Sequence, residues 1–228
     1  MAPREGVLPR QIPELAFRPC MRPLHLYRPM GLDELALLFF SDMRAFPARL
    51  PHQPIFYPVT HAEYAKQVAR DWNQKSGALE GFVTHFTVNE AYAARFERNS
   101  VRPRAYEELW VPAEELAEFN DHILAPIDVI AAYFAGGYLG YASTGPVLAG
   151  LSAKGQLSEL ALALRHGNLA PLLGDASNRA AVFLNYFFWQ ATELVDEGLD
   201  DVTRASVLDA LDTAWKARGE RVPLGIAR

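Results

Sequence analysis

The apolar period of this chain changes once, around a stretch from Val129 to Ala153 that contains no charged residue. Before it, short apolar runs at strand spacing are separated by helical segments; after it, nearly every segment repeats at helical spacing. The predicted class is therefore α+β with the sheet first. A proline-rich arm is expected at 1–23, a mixed or antiparallel sheet domain at 24–134, a glycine-rich connector at 135–145 and an all-α domain at 146–228. The uncharged stretch is about long enough to span a bilayer as a helix. Gly136, Gly137, Gly140, Gly145, Gly150 and Pro146 interrupt it, however, and Ser143, Thr144 and Ser152 dilute it. A last buried strand followed by a small-residue connector fits better, although Gly136 and Gly140 have the G-x-x-x-G spacing of membrane helix contacts.

Residues 24–28 read as the first strand, and Leu32, Leu35, Ala36 and Phe39 predict a short helix after it. Residues 41–54, with Pro47, Pro51 and Pro54 beside Arg44 and Arg49, read as constrained, exposed backbone rather than core. Residues 55–59 form a compact apolar strand. Thr60-His61-Ala62-Glu63 then has the form of a capping box, the Thr60 hydroxyl accepting from the Glu63 amide and the Glu63 carboxylate from the Thr60 amide. The helix it predicts runs from about 61 to 73 and turns Tyr64, Val68 and Trp72 to the core. Residues 81–88 alternate as a strand, Asn89 is placed to cap a short helix through Phe96, and 106–111 and 127–134 complete the strands. Pro112 suits a helix's first position, ahead of Glu114 and Glu115. In the second half, helices at 156–166, 178–197 and 203–218 each stop at a glycine, Gly167, Gly198 and Gly219. The middle one is apolar on nearly every side from Ala180 to Trp189 except at Asn185, as befits a helix surrounded by others.

At 228 residues, half of them hydrophobic, the chain is long enough to bury a substantial core. Its net charge of −5 argues against a chain-wide nucleic-acid footprint, which needs a basic face. Only the amino-terminal arm is locally basic, and it reads as solvated. Cys20 is the one cysteine, so no intrachain disulfide forms, and zinc ribbons and dithiol chemistry are excluded. Without an apolar h-region the start does not read as a secretory signal, so a cytoplasmic, non-membrane protein is expected. His25, His52, His61 and His85 show no H-x-x-x-H or H-E-x-x-H spacing, so no metal is expected. Glycine-rich dinucleotide and phosphate-loop motifs are also absent.

Three strand-borne segments carry the chemistry: Leu26-Tyr27-Arg28-Pro29, Phe56-Tyr57-Pro58-Val59 and Glu107-Glu108-Leu109-Trp110-Val111-Pro112. Their order resembles the arginine, aromatic and glutamate positions of ADP-ribosyltransferases. Adding Arg44 to Pro47, Ala69 to Asn73 and Trp110 to Glu114, the chain is similar to a group of small bacterial proteins labelled "ADP-ribosylation/crystallin J1" over about 24–134. The resemblance implies an ADP-ribosyltransferase-like sheet domain that takes NAD as substrate. Arg28 would grip the dinucleotide, since its fork of donors matches phosphate oxygens. Tyr57, with Tyr27 as competitor, would stack on the cationic nicotinamide. Glu108 would be catalytic, stabilising positive charge as the ribosyl oxocarbenium develops.

The expected activity is ADP-ribosyl transfer or NAD glycohydrolysis, as in a toxin or modification enzyme. Its acceptor would be a macromolecule, a protein first, and the helical domain would contact a protein partner. A catalytically silent regulatory or immunity-type module retaining the fold is the alternative. Two departures from the family pattern stand out. No Ser-Thr-Ser strand lies between Arg28 and Glu108, and Tyr106 stands where arginine-modifying members carry an acid or glutamine two residues before the glutamate. Both argue against arginine as the acceptor. A metal-dependent ADP-ribosyl hydrolase needs paired aspartates, whereas Asp196, Asp200 and Asp201 read as a helix cap and loop.

Overall fold

Strand β3 (Glu80–Asn89) organises the first half, and its composition explains why. Phe82, Phe86 and Val88 on one side and Val83 on the other are all buried, so the strand must be covered on both faces and both edges. In the computed structural model, which describes residues 22–73, 79–101, 106–191 and 199–226, it pairs antiparallel with β1 (Pro23–Met30) and β6 (Asp128–Phe134) in the order β1-β3-β6. A second antiparallel sheet has the order β2-β5-β4, with β2 at Ile55–Phe56, β4 at Glu97–Val101 and β5 at Tyr106–Pro112. β4 was not anticipated. Its residues, Glu-Arg-Asn-Ser-Val, carry no apolar alternation, and backbone pairing with β5 makes this polar edge strand. The fold class is α+β, as expected.

Between the strands, α1 (Leu32–Phe40) begins with Asp33 and Glu34, which suit the positive end of its dipole. It stops at Ser41, whose hydroxyl lies 2.7 Å from the Leu38 carbonyl and 2.9 Å from that of Ala45 and donates to one of them. Asp42 and Met43 then turn the chain with φ of 56° and 55°, a left-handed pair with no glycine in it. Met43 and Phe46 are buried, and Asn120 clamps Phe46 through both backbone groups. The loop expected to be exposed is thus partly core, because long-range contacts fix it.

The capping box does not form. The Thr60 hydroxyl donates to the Glu107 carbonyl and meets His61, while Glu63 pairs with Lys66 one turn on. Helix α2 (Ala62–Val68) is shorter than predicted and passes into a π-helical stretch at Ala69–Asn73. Ala65 and Ala69 are its buried residues; Tyr64 and Val68 are only half-buried, and the Trp72 side chain lies outside the described residues. Helix α3 (Glu90–Ala93) is capped as predicted, the Asn89 side chain accepting from Ala91 and Tyr92. It ends three residues before Phe96. Pro112 caps a 3₁₀ turn, Ala113–Glu115, that leads into α4 (Leu116–Asp121).

The second half holds α5 (Ala153–Arg165), α6 (Leu169–Leu172), α7 (Ala176–Ala191) and α8 (Asp201–Ala217). Gly167 and Gly219 follow α5 and α8 in the left-handed conformation expected of them, with φ of 70° and 72°; Gly198 lies outside the described residues. Asp200 caps α8 by accepting from Thr203. Helix α7 is buried throughout from Ala180 to Trp189, so the central role expected of it holds. Its Phe183 stacks on Phe39 of α1 at 4.6 Å and Phe187 meets Phe82 of β3 edge-on at 5.8 Å, so one hydrophobic core runs through both halves.

Asn185 is the polar exception on α7 because it holds the connector. It accepts from the Tyr141 amide and donates to the Tyr141 carbonyl and to Gln156, whose own amide also reaches Tyr141. Two turns earlier on α7, Asn178 donates to the carbonyls of Pro146 and Leu172 and accepts from Ser143. Gly140, at φ 91°, leaves only 2.5 Å between the place of a Cβ and that of Ala153, so a side chain there is excluded twice. No helix among the described residues is long and apolar enough to cross a membrane.

Candidate functional site at the sheet split

The two sheets meet at Val59. It exchanges both backbone hydrogen bonds with Tyr27 of β1, each 2.8 Å, and on its other side lies opposite Glu108 of β5. The Val59–Glu108 bridge is flanked by Thr60 N–H to Glu107 and Leu109 N–H to Pro58, both 2.9 Å. Beyond this one residue β1 and β2 are not paired, so the sheets part between Arg28 and Tyr57. Directly opposed residues in antiparallel strands project to the same face. Tyr27, Val59 and Glu108 therefore share a face, and Tyr57 and Trp110, each two residues along, join them.

On that face an aromatic group surrounds the carboxylate. The Trp110 indole N–H donates to Glu108 Oε1 at 2.9 Å, and the Trp110 ring meets Tyr57 edge-on at 5.5 Å. Tyr64 of α2 stacks on Tyr106 at 5.0 Å, and burial together with the charge of Glu108 pushes its phenol up. Trp110 remains 38% exposed, high for a tryptophan in a strand. Glu107 faces the other way and pairs with Arg98 at 3.7 Å, which separates the two adjacent carboxylates.

Arg28 lies in the split itself. Its Nε and Nη2 donate to the two oxygens of Glu34 at 3.2 and 3.3 Å, its Nη1 reaches the Tyr57 carbonyl at 3.4 Å, and its guanidinium sits 5.1 Å from the Phe56 ring. Glu34 also takes Arg49 at 3.5 Å. The Arg49 side chain is 9% exposed, its Nη2 donates to Gln53 at 2.7 Å, and burial followed by the neighbouring charge of Arg28 pushes its guanidinium down. Two guanidiniums thus share one carboxylate, leaving one positive charge in excess within this cluster.

Tyr57 connects the predicted residues: its backbone holds Arg28 and its ring holds Trp110, which holds Glu108. Tyr27 is tied to Glu108 through Val59. The carboxylate partner of Arg28 is Glu34, however, and not Glu108. Sequence reasoning did not select Glu34, Arg49 or Trp110. Trp110 had a signal, its place two residues from Glu108 on the same strand face; Glu34 and Arg49 had none, since only the folded loop delivers them.

Chemically, one face of the split offers aromatic edges and faces for a planar cation around a half-buried carboxylate, and the Arg28 guanidinium, tied to the Tyr57 carbonyl, offers donors for an anion. Among the described residues no group of three or more histidine, cysteine, aspartate or glutamate side chains is placed to hold a metal ion. Comparison of the chain with protein-family models, with curated proteins and with solved structures finds no match.

Proposed function

We propose that the sheet split binds NAD and breaks its nicotinamide–ribose bond, passing ADP-ribose to water or to a macromolecular acceptor. The observation that carries this reading is Glu108, half-buried among Trp110, Tyr57 and Tyr64 at the split, where Arg28 is tied to the Tyr57 backbone and shares the Glu34 carboxylate with Arg49. A carboxylate ringed by aromatics suits a ligand that carries a planar cation and develops further positive charge on an adjacent sugar. Attraction to Glu108 grows as the oxocarbenium forms, so the transition state gains more than the ground state. Nicotinamide leaves neutral and loses its attraction to the rings. The pyrophosphate would take the guanidinium donors that Glu34 and Tyr57 leave unused.

A second reading has its own support. The Arg28 fork is already engaged by both Glu34 oxygens and by Tyr57, which is what a silent interaction module keeping the fold would retain as a structural tie. The two readings separate on incubation of the pure protein with NAD, following nicotinamide release and NAD binding in wild type and in Arg28→Ala and Trp110→Ala. The enzyme reading expects release by wild type, weaker NAD binding in both variants, and folding retained in Trp110→Ala. Folded wild-type protein that neither binds NAD nor releases nicotinamide would leave the interaction module.

A further inference from the structure

A cavity of about 550 Å³ lies in the helical half, between α5, α6 and the connector, where the sheet split contributes nothing. Its walls are mainly apolar, with Pro146, Val147, Leu162 and Leu172; two carboxylates, Glu159 and Asp175, and one imidazole, His166, line it without any lysine or arginine. Its size falls within the range of small-molecule sites.

Three observations separate it from an accidental gap. The walls are tied together by the buried amide of Asn178, which donates to Pro146 on one wall at 2.9 Å and to Leu172 on the other at 3.3 Å. Val147 stands at the mouth with φ 76°, a conformation that is an outlier for a β-branched residue, and its side chain is nevertheless 59% exposed. Leu162, facing the same cavity from α5, is 40% exposed. Strain that holds an apolar side chain out of the core, opposite a second exposed apolar side chain, leaves surface that a ligand would cover. Glu159 and Asp175 set the sign of that ligand, since two carboxylates against one imidazole, with no lysine or arginine, favour a positive group and repel a negative one.

We infer that this cavity binds a small amphipathic organic cation, an ammonium group on an apolar ring or branched chain, with the apolar part between Val147 and Leu162 and the ammonium toward Glu159 and Asp175. The site is independent of NAD chemistry at the split and gives the helical half a ligand of its own.

The test is titration of the full chain with three probes of similar shape, phenethylamine, phenethyl alcohol and phenylacetate, followed by amide chemical shifts. Phenethylamine should bind with shifts confined to α5, α6 and the connector, the alcohol about tenfold more weakly, which is the loss of one good charge contact, and phenylacetate not measurably. Glu159→Gln, a change at the partly exposed cavity wall, should bring the amine down toward the alcohol, and Leu162→Ser should weaken both. Equal binding of amine and alcohol, an amine preference that survives Glu159→Gln, or no shift in folded wild-type protein would overturn the inference. Nicotinamide release should be unchanged in Glu159→Gln, so the outcome does not depend on the reading of the split.

Discussion

The helical half and the sheet split both place polar side chains among apolar ones, but they treat them oppositely. Around α7, Asn185, Asn178 and Gln156 are buried and bonded to the connector, to each other and to neighbouring backbone. At the split, Glu108 accepts from the Trp110 indole, Trp110 is well exposed, and Arg49 keeps a buried Nε without a partner. A buried polar group whose bonds are all made by its own chain contributes structure and specificity. One that is partly exposed and sparsely bonded retains capacity for something else. The contrast teaches where substitution should harm folding and where it should harm only a ligand.

The largest effect on stability is expected at Asn185. Asn185→Leu removes the acceptor of the Tyr141 amide and the partner of Gln156 inside a closed core, at a cost of about 4 kcal/mol, since each stranded group carries roughly 1–3 kcal/mol. Urea unfolding measures it, and a loss below about 1 kcal/mol would erase the contrast between the two regions. Glu34→Ala comes next. Arg28 and Arg49 would face each other in the split without their shared counterion, costing about 3 kcal/mol as for a broken, largely buried pair. Here added phosphate should restore part of the loss, whereas Asn185→Leu should not respond to it.

Glu80 sharpens the comparison through pH. It is 1% exposed, accepts from the Leu32 amide at 3.1 Å, and burial pushes its carboxyl up to about 7. That value lies above the one it has in the unfolded chain, so the folded state holds its proton to higher pH. The contribution is fully present below the unfolded value and is lost as pH rises through about 7, a fall of roughly 2–3 kcal/mol between pH 5 and 8. Glu80→Gln keeps the acceptor for Leu32 and should flatten that window. A wild-type profile already flat there would show that the carboxylate is solvated after all.

Much of the fold was readable because its signals are local. Gly167 and Gly219 stop helices for want of a Cβ, Asn89 caps α3 with its own side chain, and the unbroken apolar run of α7 demands neighbours on every side. What failed was decided at long range. Thr60 and Glu63 have the spacing of a capping box, yet Glu107 on another strand and Lys66 take their bonds first. β4 exists because β5 pairs with it, not because its residues alternate. At the split, the alternation of β5 separates Glu107 from Glu108, but the Glu34–Arg28–Arg49 cluster joins three segments through the tertiary fold and leaves no trace in the spacing.

The smallest expected effect on stability is also the most telling. Glu108→Gln keeps an acceptor for the Trp110 indole and should shift the urea midpoint by less than about 0.5 kcal/mol equivalent. If Glu108 stabilises a ribosyl cation, the same variant should release nicotinamide from NAD at least about a hundredfold more slowly than wild type. Measuring both quantities on one preparation tests the account directly. An unchanged midpoint with release slowed at least about a hundredfold is the result predicted. Release at the wild-type rate from folded Glu108→Gln would contradict it.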